Sequence, residues 1–111
     1  MSFNLEIISP QEIIYNQDVD LVIFPGVEGD FGVLKHHTPF LTYLRVGLVY
    51  IYIKNNLEKS FLVNGGIVEV LKEKCNLLTE DIVDSKNFKK QESTNEIDLI
   101  KSKIVSNPYY R

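Results

Sequence analysis

The sequence predicts a mainly β domain, an antiparallel sandwich or barrel, followed by one short C-terminal helix. Three observations carry that expectation. Apolar runs of strand length, several of them alternating, recur from Phe3 to Thr79. Clusters of Gly, Pro, Asn, Asp and Ser separate them at the short spacing of an all-β domain. After Thr79 the composition turns polar, and the next apolar pattern has helical spacing.

In order along the chain, residues 3–9 (FNLEIIS) alternate, with Phe3, Leu5 and Ile7 on one face. Ser9-Pro10-Gln11 breaks that run, and Glu12 to Tyr15 is a second, shorter one. Asn16-Gln17-Asp18 is expected to turn. Val19 to Phe24 reads as a strand, Val19, Leu21 and Ile23 facing one way and Val22 and Phe24 the other. The segment Pro25 to Pro39, PGVEGDFGVLKHHTP, reads as a long shaped loop in which Phe31 to Leu34 pair briefly. Phe40-Leu41 and Leu44 to Gly47 lead into LVYIYI at residues 48–53, the strongest β signal present. Asn55-Asn56 is expected as a hairpin turn, Lys59 to Val63 as the return strand, and Asn64-Gly65-Gly66 as a second tight turn. Ile67 to Leu71, a turn at Lys72-Glu73-Lys74, and Cys75 to Thr79 complete the β part.

Beyond it, Val83 and Phe88 are the apolar anchors of a polar stretch. Ser93-Thr94-Asn95-Glu96 fits a capping box. Ile97, Ile100 and Ile104 follow at helical spacing, and Asn107-Pro108 stops the helix. Alanine is absent from the chain, so this helix lacks the best helix former. The expected division is a β domain over residues 1–84 and a helical tail over residues 85–111.

With 111 residues the chain is one domain with a short appendage. A net charge of -3 and a pI near 5.3 argue against a nucleic-acid surface, which would be basic. The one cysteine, Cys75, cannot form an internal disulfide, which points to a reducing compartment. No apolar run has the length of a membrane span, and residues 1–24 lack the layout of a secretory signal. The expectation is a cytosolic protein that meets a membrane only through a partner.

Loops on a rigid β scaffold are where such a domain carries function, so residues 25–39 are the candidate site. Gly26, Gly29 and Gly32 form a G-x-x-G-x-x-G run. A phosphate cradle needs convergent N–H groups, and the Glu28 and Asp30 carboxylates between these glycines would repel the anion. His36 and His37, adjacent in extended chain, point to opposite sides and have no third ligand at metal spacing. One is expected to pack at the loop base and the other to lie exposed. Cys75 sits in an apolar run with no activating base and reads as a structural thiol. No carboxylate pair can be assigned to acid–base work, so no catalytic constellation is expected, and neither metal nor cofactor. What remains is a docking surface shaped by glycine and proline.

Two blocks of residues then resemble the epsilon subunit family of ATP synthases. The first is Pro25-Gly26-Val27-Glu28-Gly29-Asp30-Phe31-Gly32-Val33-Leu34 with His37-Thr38-Pro39-Phe40-Leu41. The second is Phe61-Leu62-Val63-Asn64-Gly65-Gly66-Ile67-Val68-Glu69-Val70. Asn76-Leu77-Leu78-Thr79-Glu80 is similar to the end of that family's β domain, and the likeness runs in order from about residue 3 to 84. The resemblance implies a ten-stranded β-sandwich followed by a helical hairpin. It implies a non-catalytic rotor subunit in the central stalk, partnered by the gamma subunit and the c ring, with ATP made elsewhere in the complex. By motif position, Asp30, Phe31, Gly32, His37, Thr38 and Pro39 would face the c ring, with Gly26, Gly29, Gly65 and Gly66 as structural glycines. It would place the protein peripherally, on the cytoplasmic face of a bacterial plasma membrane. Three departures are visible. Lys35 stands where family members often have Pro, and Thr38 where they often have Ala. The tail is short for a two-helix hairpin, and Ile97-Asp98-Leu99-Ile100-Lys101-Ser102 lacks the Arg and Ala of the nucleotide-sensing motif. Weak or absent inhibition, and no ATP binding, are therefore expected. The alternative from another class is a stand-alone β-sandwich adaptor that uses the same loop on a different protein.

Overall fold

A computed structural model describes residues 2–85. The helix expected at residues 93–107 and the Phe88 anchor lie outside the described residues. Eight strands form, in order β1 (Phe3–Ile8), β2 (Ile13–Val19), β3 (Leu21–Gly26), β4 (Gly29–Val33), β5 (Phe40–Ile53), β6 (Asn56–Val70), β7 (Lys74–Leu78) and β8 (Ile82–Asp84). They hydrogen-bond in the order β2-β1-β7-β6-β5-β3-β4, with β8 also on β6.

Two strands explain how one sheet becomes a sandwich. β5 and β6 are 14 and 15 residues long and pair with each other along nearly their whole length. Residues 40–44 of β5 pair with residues 66–70 of β6, and that layer continues through β7, β1 and β2. Residues 46–53 of β5 pair with residues 56–64 of β6, flanked by β8 on one side and by β3 then β4 on the other. Each layer thus holds five strand segments, since β5 and β6 serve both. Counted layer by layer, these are the ten strands the resemblance implies.

The bend is at Gly65 and Gly66, with φ of 83° and 149°. The expected turn at Asn64-Gly65-Gly66 is not a turn: the register runs through it, Val46 opposite Asn64 and Leu44 opposite Gly66. A Cβ on Gly66 would lie 2.8 Å from the Leu78 carbonyl oxygen, so glycine is needed for β6 to approach β7. The hairpin turn lies one residue earlier than expected, at Lys54-Asn55. Both have positive φ, 52° and 66°, as a two-residue turn matched to strand twist requires. Asp20 supports it, its carboxylate accepting from the Lys54 amide at 2.6 Å.

Phe3, Leu5 and Ile7 face the core as expected. They join Val22, Phe24, Val49, Ile51, Val68, Val70, Cys75 and Leu77 in one apolar cluster fed by both layers. Each fully buried aliphatic side chain of this kind contributes roughly 1.5–3 kcal/mol. The expected strand from Val19 to Phe24 is divided at Asp20, so Val19 and Val22 both point inward. The pairing is antiparallel except between β1 and β7, which run parallel, as strands far apart in sequence can. β8 falls where the sequence reads polar. Its pairing with Phe61, Leu62 and Val63 supplies the order that its composition does not.

Candidate functional site

Residues 25–39 are not one loop. β3 extends through Pro25 and Gly26, both buried, a two-residue turn at Val27-Glu28 reverses the chain, and β4 returns from Gly29. Gly26 faces Gly29 and Pro25 faces Asp30 across this hairpin. A Cβ on Gly26 would stand 2.6 Å from the Gly29 carbonyl oxygen and 2.9 Å from the Phe31 ring. Only glycine lets the hairpin close. The true loop is the remainder, residues 34–39.

The hairpin is poorly joined to its other neighbour. β3 pairs with β5 at Ile23 opposite Tyr50 and next at Gly26 opposite Leu44, with a register shift between. Pro25, which has no N–H to donate, stands in that gap. Two contacts hold the hairpin just beyond it. The Val27 amide donates to the Tyr43 carbonyl at 3.1 Å. The Arg45 side chain, only 6% exposed, donates from Nη1 to the Gly26 carbonyl and from Nη2 to Asp30 Oδ1 at 2.5 Å.

An aromatic run joins hairpin and loop. Phe31 is half-buried, its ring centroid 5.4 Å from that of Phe24 and 5.5 Å edge-on from that of Phe40. The His37 ring lies 5.2 Å from Phe40. Its amide donates to the Leu34 carbonyl at 3.2 Å and its Nδ1 to the Thr38 carbonyl at 3.1 Å. His37 is thus the packed histidine and His36 the exposed one, in a left-handed conformation at φ 66°. Gly32 is exposed on β4 opposite Ile23, and Thr38 and Pro39 are exposed at the loop end. Of the six residues expected to face a partner, Phe31 and His37 belong to one aromatic run. Asp30 is tied back to Arg45. Lys35 points toward the β6–β7 turn, its Nζ 4.0 Å from Glu73.

Arg45 escaped the sequence reading. A signal existed: it is a lone charge in the apolar segment YLRVGLV, where only a buried partner would retain it. Cys75 is fully buried, and desolvation pushes its thiol pKa up to about 12, the opposite of an activated nucleophile. No group of three or more His, Cys, Asp or Glu able to hold a metal occurs among the described residues.

The sandwich also carries an outward apolar row. Tyr43 stands opposite Ile67, Ile67 opposite Leu78, Leu78 opposite Ile8, and Ile8 opposite Ile13, one residue from each of five neighbouring strands. Tyr43, Ile67, Leu78 and Ile13 are exposed. An open cavity of about 710 Å³ lies at this row, rimmed by Pro10, Glu80 and Asp81.

Residues 2–85 match the family described as ATP synthase, Delta/Epsilon chain, beta-sandwich domain. The ATP synthase epsilon chain of Rickettsia prowazekii is 37% identical over 103 residues, covering 90% of this chain and 92% of the relative. The sodium ion specific ATP synthase epsilon chain of Propionigenium modestum is 33% identical, covering 94% and 75%. Among solved structures, a chain of the Euglena gracilis mitochondrial ATP synthase superposes with a TM-score of 0.76 at 18% identity, covering 95% of this chain and 67% of that one. That likeness concerns the fold.

Proposed function

The chain belongs to the ATP synthase delta/epsilon family, and on that premise we propose that it is a non-catalytic rotor subunit of an ion-translocating ATP synthase. The carrying observation is the family match over residues 2–85, which includes the β3–β4 hairpin, the 34–39 loop and the bent β6. In this reading the subunit belongs to a membrane-associated complex and is itself peripheral, on the cytoplasmic face of a bacterial plasma membrane. The hairpin and loop, with Asp30, Phe31, Gly32, His37, Thr38 and Pro39, are the edge turned toward the c ring. The apolar row from Tyr43 to Ile13 is the face offered to gamma, because a contiguous apolar row in an assembled subunit is best buried against a partner. Coupling two rotor parts needs stiffness, and cross-strand packing in both layers supplies it.

In this reading the segment over residues 85–111 is counted apart from the β domain. Its sequence lacks the Arg and Ala of the nucleotide-sensing motif, which supports little or no inhibitory action. Deleting residues 86–111 is expected to leave ATP hydrolysis by the assembled complex nearly unchanged, and a several-fold activation would contradict this.

The central test is complementation. Membranes carrying a synthase that lacks its epsilon subunit are supplied with this full chain, and ATP-driven ion pumping is measured by dye quenching. Restored pumping, with gamma co-purifying on a tagged chain, is the expected result. Failure of both sinks the rotor reading.

A further inference from the structure

We propose that Arg45 is the positioning residue of the docking edge: it ties both strands of the β3–β4 hairpin to β5, so that Asp30 serves as its internal anchor and Glu28 is the acid presented to a partner. The positioning role rests on the rotor reading above; the clamp itself does not.

The hairpin needs such a device. Its pairing with β5 lapses between Ile23 and Gly26, and Pro25 in that gap cannot donate. Arg45, on β5, grips the hairpin just past that gap. One arm of its guanidinium meets the Gly26 carbonyl on β3, the other the Asp30 carboxylate on β4. The two contacts straddle the Val27-Glu28 turn and fix both strands at once. A planar fork with several fixed donors can do this; the single ammonium of a lysine cannot hold both directions. Burial of Arg45 removes competing water and strengthens both bonds.

The consequence concerns charge. Residues 25–34 carry two acids, Glu28 and Asp30, and no base. Asp30 remains half exposed, yet its charge is matched by Arg45. Glu28 stands exposed at the turn. A partner approaching this edge therefore meets one carboxylate at a fixed position, complementary to a basic or N–H-rich polar loop.

The test uses the full chain with Arg45→Met, Arg45→Lys, Asp30→Asn, Glu28→Gln and the Arg45→Met/Asp30→Asn double variant. In the isolated chain, amide exchange at residues 26–31 is expected to rise about tenfold for Arg45→Met and Asp30→Asn. The double variant should be no faster than Arg45→Met alone, Arg45→Lys should recover part of the protection, and Glu28→Gln should match the parent. In the assembled complex, ions pumped per ATP should fall for Arg45→Met and Asp30→Asn, recover partly in Arg45→Lys, and fall for Glu28→Gln without any exchange change. Should Arg45→Met not fold, Asp30→Asn and Glu28→Gln decide the matter. Unchanged exchange and pumping in Asp30→Asn, or independent effects that multiply in the double variant, overturn the proposal. Faster exchange with fully retained pumping overturns the positioning role. The exchange arm is read without any partner, so it still decides on the clamp if the unaltered chain fails to restore pumping and the rotor reading falls.

Discussion

Two hairpins of this domain are built on opposite principles. The long one, β5–β6, runs through both layers with its register unbroken from Phe40 to Ile51, and packs Val49, Ile51, Phe61, Val63, Val68 and Val70 into the core. The short one, β3–β4, pairs well with itself but loses its ladder to β5 and is held there by a buried arginine. Backbone pairing and apolar burial make the first stable without reference to charge. The second spends part of its packing on an ion pair, a choice that gains directionality rather than stability. An element held by its own ladder and one held by a buried side chain are thereby distinguished within one small domain.

Breaking the long hairpin should cost most. Gly66→Val places a Cβ against the Leu78 carbonyl at a φ that valine avoids, so we expect a loss of about 4 kcal/mol in urea unfolding. A loss under about 1 kcal/mol would mean that the bend is not set there. Arg45→Met should cost about 2 kcal/mol, since the Gly26 carbonyl loses its donor while half-exposed Asp30 regains water. Parity of the two variants would erase the contrast between the hairpins.

A gentler probe lies on the packed side. The Cys75 pKa rises from 9.0 to about 12 on folding because burial disfavours the thiolate. Below pH 9 both folded and unfolded chains hold the proton, and this stabilising contribution is fully present. Between pH 9 and pH 12 only the unfolded chain loses it, so stability should fall across that window, and Cys75→Ser should flatten the fall. At pH 8 a disulfide reagent should label Cys75 only as fast as the chain unfolds; rapid labelling of the native protein would contradict its burial. The smallest effect belongs to Glu28→Gln, expected to change stability by less than about 0.5 kcal/mol because the side chain is exposed at a turn. A larger loss would assign Glu28 to the fold rather than to presentation.

The contrast also explains what could be read from residues alone. Alternation in Phe3, Leu5 and Ile7 and the run LVYIYI identify strands directly, because burial of one face leaves a period of two in the sequence. Asn64-Gly65-Gly66 and Pro25-Gly26 misled for one shared reason. Glycine beside a polar residue or a proline serves a reversal and a bent or closely approached strand equally well. Which one forms depends on what lies across the sheet, here the Leu78 carbonyl and the Phe31 ring. β8 was invisible because its order comes from a neighbour. The candidate edge was legible as a position, through its glycine and histidine pattern. The clamp that shapes it was not, since Arg45 and Asp30 are fifteen residues apart and meet only after folding.

The sharing of β5 and β6 between layers has a mechanical side. In a sandwich of two separate sheets, one layer can slide over the other against side-chain packing alone. Here two adjacent, mutually hydrogen-bonded segments pass from one layer into the other through Gly65-Gly66 and its neighbours on β5. Shear between layers would have to stretch covalent backbone and break that ladder. A twist applied at the hairpin edge is therefore carried around the corner by the chain itself, and reaches the far layer with little slack.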